Sequence, residues 1–220
     1  MKQLFTYFFS LTLSISPILS FAQDEHVEEQ DKNKTSIRLG ISVDYGKLFT
    51  IPSKFETKAE GGFDLIIKGK FQFLGEIGYA DLNPQDAIKN GSYNSKGIYY
   101  RGGLAFGGEI LPKNFLSLGV LYGFSNFEDS GTIVIRSTLW EDFDSTFDRK
   151  NISATWYEIV LITEQHIKNN IALGAKFRLR IFNNLDKDYI PEVLAVPGYG
   201  RTFNNSIPAF NLYVKFLISL

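Results

Sequence analysis

Apolar and polar residues alternate with period two over most of the chain from Ser36 onward. In the stretch IALGAKFRLRIF, residues 171–182, the cations Lys176, Arg178 and Arg180 share one face. The opposite face carries Leu173, Phe177, Leu179 and Ile181. Because successive strand residues point to opposite faces, this pattern predicts a strand between an apolar and a polar environment.

Eight segments alternate in this way, and each has a clear apolar face. They are residues 36–49, 57–68, 70–82, 95–108, 115–127, 153–165, 170–182 and 207–220. Short turns are expected at 68–70, 111–114 and 166–169, and longer polar connections at 50–56, 83–94, 128–152 and 183–206. Short turns on one side and long loops on the other predict an all-β, eight-stranded antiparallel up-and-down transmembrane β-barrel, with its short side periplasmic.

The lengths and charges of these segments favour a barrel in lipid. Eleven residues at about 3.3 Å each, tilted by roughly 40°, cover about 28 Å of height, which matches an outer-membrane apolar band. If the faces were reversed, Lys176, Arg178 and Arg180 would meet lipid at about 2–4 kcal/mol each near the midplane. The sequence therefore predicts that the charged face points inward.

The inward face carries nearly equal numbers of cations and carboxylates, which predicts a paired charge network in the lumen. Inward glycines are expected to leave room for these long side chains, and a barrel of eight strands is narrow enough to be filled by them, which argues against an open pore. The predicted network contains Arg38, Asp44, Asp64, Glu76, Arg101, Glu158, Lys176, Arg178, Arg180 and Lys215, with Glu60 and Glu164 on the same face.

The N-terminus has the pattern of an export signal. Lys2 precedes an apolar stretch, and Ser20-Phe21-Ala22 fits a cleavage site, so residues 1–22 are predicted to be a signal peptide. Residues 23–35 are polar and are predicted to be a flexible periplasmic leader, which leaves 36–220 for the barrel. The chain has no cysteine, which excludes a disulfide framework and a thiolate metal site.

These features predict a bacterial outer-membrane location. The expected partners are outer-membrane lipid and, through the C-terminal strand, the barrel-assembly machinery; the sequence identifies no protein partner. A net charge of −1 gives no reason to expect nucleic acid.

Sequence motifs give little support for catalysis or for a cofactor. His26 lies in the leader and His166 in a predicted periplasmic turn, and no G-x-S-x-G elbow is present. The acidic stretch EDFDSTFD at 141–148 departs from the EF-hand pattern and is interpreted as a solvated loop. GGLAFGG at 102–108 lacks the Lys-Ser/Thr of a phosphate loop and is interpreted as strand.

Two loop stretches have more structure than their neighbours. TIVIRSTLW, residues 132–140, has strand propensity and is predicted to extend the barrel wall rather than add a ninth strand. Pro197-Gly198 within VPGYG predicts a type II turn. That turn is interpreted as part of a packed surface loop, with a recognition tip as the alternative.

Several sequence stretches resemble an uncharacterised family of signal-bearing outer-membrane β-barrel proteins. They are GIYYRGG at 97–103, WYEIVL at 156–161, FRLRIF at 177–182, VPGYGR at 196–201 and the closing apolar-alternating strand. The resemblance spans about residues 36–220 and implies a barrel in the outer membrane, with no catalytic or binding residue attached. The expected function is therefore a non-enzymatic outer-membrane barrel with a structural or loop-mediated role. The alternatives are a soluble periplasmic barrel for a small lipophilic ligand and a lipid-modifying barrel enzyme.

Overall fold

The structure is a computed structural model that describes residues 37–47, 56–84, 88, 90–136 and 143–220. The predicted signal peptide at 1–22 and the predicted leader at 23–35 lie outside these residues. Within the described ranges, no helix is long and apolar enough to span a bilayer.

Eight antiparallel strands close into a barrel, and a two-stranded hairpin lies in the connection before the last of them. The strands are β1 (Ile37–Asp44), β2 (Glu56–Ile67), β3 (Phe71–Leu82), β4 (Gly91–Leu111), β5 (Asn114–Ile135), β6 (Phe143–Lys168), β7 (Ile171–Leu185), β8 (Ala195–Val196), β9 (Gly200–Arg201) and β10 (Ser206–Ser219). The hairpin is β8 and β9, and the ring closes by pairing of β1 with β10. The predicted eight-stranded up-and-down fold is confirmed.

Short turns lie at one end of the barrel, called here the turn end, and the longer connections lie at the loop end. Between β2 and β3, Lys68 and Gly69 have φ values of 53° and 64°, and Lys70 N donates to Ile67 O at 3.1 Å. Positive φ at both central residues defines a type I′ turn, whose twist matches that of the flanking strands. This turn holds β2 and β3 in register.

The outer face of the barrel is a continuous apolar surface. Phe63, Leu118 and Val120 are 60%, 59% and 62% exposed, although all three are large and apolar. The apolar belt consists of these residues and their neighbours on every strand, among them Ile41, Phe73, Ile77, Leu104, Phe106, Tyr122, Ile159, Phe177, Leu179, Phe210, Phe216 and Ile218. The face assignments made from the alternation are confirmed on all eight barrel strands.

Three strands continue well beyond the belt at the loop end. Residues 91–96 of β4, 127–135 of β5 and 143–152 of β6 form a paired sheet, called here the extension. The expectation of a long loop at 128–152 is wrong, because most of these residues belong to β5 and β6. The interpretation of 143–148 as a solvated loop is wrong for the same reason, and residues 141 and 142 lie outside the described ranges. The predicted extension of the barrel wall at 132–140 is confirmed for 132–135. Residues 137–140 lie outside the part of the chain that the structure describes.

Glycines in the wall face aromatic rings on the neighbouring strand. A Cβ on Gly78 would lie 2.2 Å from Cζ of Tyr99, which is the residue directly opposite. The expectation that inward glycines make room for long charged side chains is therefore only partly correct, because three of them accommodate rings. Directly opposed pairs occur inside at Gly78–Tyr99, Gly123–Trp156 and Gly174–Tyr213, and outside at Gly75–Phe63.

Candidate functional site

Charged side chains from several strands meet in a buried layer across the barrel. Arg101 Nη1 lies 2.7 Å from Glu60 Oε2 and 3.0 Å from Glu76 Oε2, and its Nε lies 2.8 Å from Glu158 Oε1. The Arg101 side chain is fully buried. A guanidinium has N–H groups on three nitrogens, which lets one arginine contact three carboxylates in this way.

A second arginine contacts two of the same carboxylates. Arg178 donates from Nη2 to Glu76 Oε1 and from Nη1 to Glu158 Oε2, each at 2.7 Å, and from Nε to Asn211 Oδ1 at 2.9 Å. Lys176 Nζ adds a contact of 2.6 Å to Glu76 Oε1. Glu76, Arg101, Glu158 and Arg178 thus form a closed ring of opposite charges, called here the central ring.

A smaller group lies nearer the turn end. Lys215 Nζ contacts the carboxylates of both Asp64 and Glu164, and all three side chains are at most 4% exposed. Tyr213 also donates from its hydroxyl to Glu164 Oε1 at 2.6 Å. This Lys215 triad holds one cation between two anions.

Asp44 joins the layer from the end of β1. Asn211 donates from Nδ2 to Asp44 Oδ2 at 2.5 Å, and the Lys47 amide donates to Asp44 Oδ1 at 3.1 Å. The Lys47 ammonium in turn contacts Glu60. Lys47 was not among the residues singled out from the sequence, because it follows the turn at the end of β1 and breaks the alternation.

Two of the singled-out arginines differ from the rest. Arg38 lies at the turn end, with its guanidinium carbon 5.8 Å from the ring centroid of Phe115, and no described carboxylate lies within ion-pair distance of it. Arg180 donates from Nη1 to the backbone carbonyl of Tyr199 at 2.8 Å, and its Nε is 3.5 Å from Glu158 Oε1. Arg180 therefore connects the central ring to the loop end.

The hairpin of β8 and β9 fills the barrel mouth at the loop end, and residues 193–200 are called here the plug. Gly198 has φ of 85°, and Tyr199 N donates to Val196 O at 3.1 Å, which confirms the predicted type II turn. The interpretation of this turn as a packed surface loop is wrong, because Val196 and Tyr199 are fully buried. They pack in one apolar cluster with the rings of Tyr99 and Trp156.

Polar contacts connect the plug and its neighbouring residues to the central ring and to the extension. Arg101 donates from Nη2 to Gly198 O at 2.9 Å, beside the Arg180 contact to Tyr199. In the extension, Arg149 pairs with Asp129 at 2.5 Å and donates to Pro191 O at 2.7 Å. The plug is therefore tied to the central ring, and the segment just before it is tied to the extension.

Tyr93 completes the contact between the extension and the plug. Its hydroxyl donates to Asp129 Oδ2 at 2.9 Å and accepts from Leu194 N at 3.2 Å. Burial and the adjacent Asp129 carboxylate raise the pKa of Tyr93, so its hydroxyl stays protonated and able to donate. Tyr93, Asp129 and Arg149 lay in stretches expected to be loops, so the alternation assigned no face to them.

The lumen has little free space. A cavity of about 10 Å³ lies beside Ser42, Glu60, Glu76, Lys176 and Tyr213. A volume of roughly 10–15 Å³ holds one water molecule. Side chains therefore fill the barrel between the turn end and the plug.

Groups suited to catalysis or metal binding are scarce in the described ranges. No cluster of three or more His, Asp or Glu side chains there is arranged to hold a metal ion. His166 stacks on Phe115 at the turn end, with ring centroids 4.3 Å apart. His26 lies outside the described residues. The stretch GGLAFGG at 102–108 lies within β4, as expected.

The family model described as "Domain of unknown function (DUF6048)" matches residues 4–220. The chain belongs to this family. The resemblance to an uncharacterised family is thereby confirmed. No curated protein matches the chain.

Solved structures that are similar to this chain include three bacterial proteins of low sequence identity. The attachment invasion locus protein Ail of Yersinia pestis has 10% identity and a TM-score of 0.42, covering 84% of this chain and 97% of that one. Neisserial surface protein A has 8% identity and a TM-score of 0.39, covering 84% and 96%. A major outer membrane protein of Thermus thermophilus has 8% identity and a TM-score of 0.48, covering 84% and 100%. No functional residue is carried over from them.

Proposed function

We propose that this protein is a non-enzymatic β-barrel of the bacterial outer membrane, with a sealed lumen and a structural or loop-mediated role. The observation that carries the proposal is the polarity of the wall, which is apolar outside and charged inside. An apolar surface that surrounds the whole barrel is far larger than the few hundred Å² that soluble monomers normally expose. Lipid is the environment in which this arrangement is stable.

The same polarity argues against a soluble barrel for a lipophilic ligand. Such a barrel needs an apolar interior with free volume, commonly about 300–1,000 Å³. Here the buried charges Arg101, Arg178 and Glu158 occupy the centre, and the cavity beside Glu60, Glu76 and Lys176 is only about 10 Å³. A lipid-modifying enzyme has little support, because the one histidine in the described ranges, His166, is at the turn end.

The extension supports a role in contacts at the loop end. Residues 127–135 of β5 continue beyond the belt, and at about 3.4 Å per residue this segment is about 30 Å long. At its tip Ile135 and Phe143 are 51% and 55% exposed. A paired sheet that carries apolar side chains at its tip is suited to contact a partner outside the membrane.

A charge substitution in the belt tests the membrane location. Val120, in the middle of the belt on β5, is changed to Arg, and Asn126, which points outward above the belt on the same strand, is changed to Arg as the control. We expect Val120→Arg to lower the free energy of unfolding in bilayers by about 2–4 kcal/mol and Asn126→Arg to have little effect. If the two variants were equally stable, or if the mature wild-type protein were a detergent-free soluble monomer, the membrane location would be wrong.

Conductance tests the sealed lumen. The mature protein is reconstituted into planar bilayers, after heat-modifiable gel mobility has shown that the barrel is folded. We expect no stable channel openings, because the central ring and the plug close the lumen in series. Large, stable openings would contradict a sealed barrel without affecting the membrane location.

A further inference from the structure

The turn end of the barrel carries an excess of positive charge. Each of its three short turns exposes at least one lysine, and these four residues are called here the turn-end lysines. They are Lys68 and Lys70 between β2 and β3, Lys113 between β4 and β5, and Lys168 at the end of β6. Arg38 adds a fifth cation at the same end.

Carboxylates that could neutralise these cations are scarce. Among the described residues, Glu109 is the exposed carboxylate side chain at this end, and it accepts a hydrogen bond from the backbone N of Lys113 at 2.7 Å. No described carboxylate lies within ion-pair distance of a turn-end lysine or of Arg38. The whole chain has a net charge of −1, so the excess of five cations over one carboxylate is a local feature.

The opposite boundary of the belt is different, because it carries charges of both signs. Lys96 on β4 lies directly opposite Asp81 on β3 and Glu128 on β5. Its Nζ is 3.0 Å from Glu128 Oε1, and Lys150 follows on β6. This row of alternating charges neutralises itself, whereas the turn end has no equivalent row of carboxylates in the part of the chain that the structure describes.

The turn-end lysines lie at the edge of the apolar belt. Lys70 precedes Phe71 and Lys168 follows Ile167, and these two apolar side chains are 54% and 50% exposed. Lys70 and Asp81 are eleven residues apart along β3, which at about 3.3 Å per residue and a tilt near 40° is about 28 Å, close to the height of a membrane's apolar band. Lysine can pack its methylene groups on apolar surface and extend its ammonium to the headgroups.

We propose that the turn end binds anionic phospholipids, with their phosphates at the turn-end lysines and their acyl chains against the apolar belt. The inference rests on the proposed membrane location. Cations beside a membrane surface attract anionic lipids, and each cation adds to the attraction. The proposal also assigns an orientation, in which the turn end faces the leaflet that supplies anionic phospholipid.

The predicted leader fits this surface less well. Residues 23–35 contain five carboxylates, at positions 24, 25, 28, 29 and 31, but Lys32 and Lys34 stand between these and β1. The leader residues nearest to the barrel in sequence therefore have the same sign of charge as the turn end. A soluble anionic polymer is also less suitable, because it would not use the apolar residues beside the lysines.

The test uses a quenching assay, for which the absence of cysteine in the chain is an advantage. A fluorophore is attached on β5 at Leu116→Cys, near the turn end, and in a separate sample at Phe124→Cys, nearer the loop end. The two side chains point outward and are 36% and 37% exposed, so the sites are matched. Each mature protein is reconstituted in phosphatidylcholine vesicles that contain a small fraction of lipid with brominated chains, either phosphatidylglycerol or phosphatidylcholine.

We expect brominated phosphatidylglycerol to quench the fluorophore at 116 with an apparent affinity about fivefold higher than brominated phosphatidylcholine. The fluorophore at 124 should be quenched equally by both lipids. Lys70→Gln/Lys113→Gln should abolish the preference at 116, and Lys70→Arg/Lys113→Arg should retain it. Lys96→Gln/Lys150→Gln, which removes the same charge at the loop end, should leave it unchanged.

The outcomes separate the two proposals. Equal quenching at 116 by the two lipids, an equal preference at 124, or a preference that survives Lys70→Gln/Lys113→Gln would overturn the phospholipid surface while the membrane location stands. A preference that appears only after the five leader carboxylates are changed to amides would overturn it too, and would identify the leader as the occupant. No quenching at either position would overturn the membrane location itself.

Discussion

Replacing Lys215 by methionine is expected to destabilise the barrel strongly. The Lys215 side chain is 1% exposed, and it is the cation that contacts Asp64, which is itself 1% exposed, and Glu164. Glu164 retains the hydrogen bond from Tyr213, whereas Asp64 retains no cation among the described residues. Removing one partner from a buried ion pair costs about 3–5 kcal/mol, which lowers the folding equilibrium constant roughly 150-fold to 5,000-fold.

Urea unfolding in detergent micelles, followed by gel mobility, measures this loss. With an m value of at most about 3 kcal/mol/M, the midpoint of Lys215→Met should fall by at least about 1 M. Asp64→Asn on the Lys215→Met background should recover part of the loss, because the uncompensated carboxylate is then absent. Lys150→Met, at an exposed position of β6, is the control and should not change the midpoint.

The double-mutant cycle also defines the result that would refute this reasoning. If Lys215→Met unfolds at the wild-type midpoint, buried charge does not contribute to stability here. If Lys215→Met/Asp64→Asn is less stable than Lys215→Met by the full effect of Asp64→Asn alone, the two residues are not coupled. Either result would remove the energetic basis for the Lys215 triad.

Three further perturbations probe packing, the plug and the lumen. Gly78→Val should cost about 1–3 kcal/mol in urea unfolding because its side chain would overlap Tyr99, whereas Gly108→Ala, which has open space, should be neutral. Arg149→Ala should speed tryptic cleavage at Lys187 and Arg201, which flank the plug, because it removes the contacts of Arg149. Heat-modifiable gel mobility should not change. Unchanged cleavage would mean that the Arg149 contacts do not hold the plug. Replacing residues 193–200 by a Gly-Ser linker should leave bilayer conductance at baseline because the central ring remains, and new channels would show that the plug alone is the seal.

The barrel wall was predictable because one physical rule determines the faces of its strands. Outward residues such as Phe63 and Val120 are apolar and inward residues such as Glu76 and Arg178 are polar, so period two identifies both the strand and its faces. Only residues 132–135 of the extension were predicted, and the rest was missed because this contrast ends above the belt. Outward residues there, such as Glu128, are polar, and the strands are held by backbone hydrogen bonds, which a hydropathy pattern does not reveal.

The candidate site was only partly accessible to sequence reasoning. Alternation assigns Glu76, Arg101 and Arg178 to one face, but which of them touch depends on register and side-chain direction across the lumen. The plug was missed for a different reason. Tyr199 and Val196 lie outside any strand of the wall, and their burial follows from the docking of a turn onto Trp156, a contact between residues about 40 positions apart.

The opposed glycine and aromatic residues bear on how the wall assembles. Each ring needs a gap directly across from it, so sliding β4 along β3 by two residues would place Tyr99 against Glu76 or Ala80 instead of Gly78. The same holds for Trp156 at Gly123 and Tyr213 at Gly174. Backbone hydrogen bonds alone would allow such a shift in register. The glycine–aromatic pairs prevent it by steric clash, and they therefore fix the register at three places around the barrel.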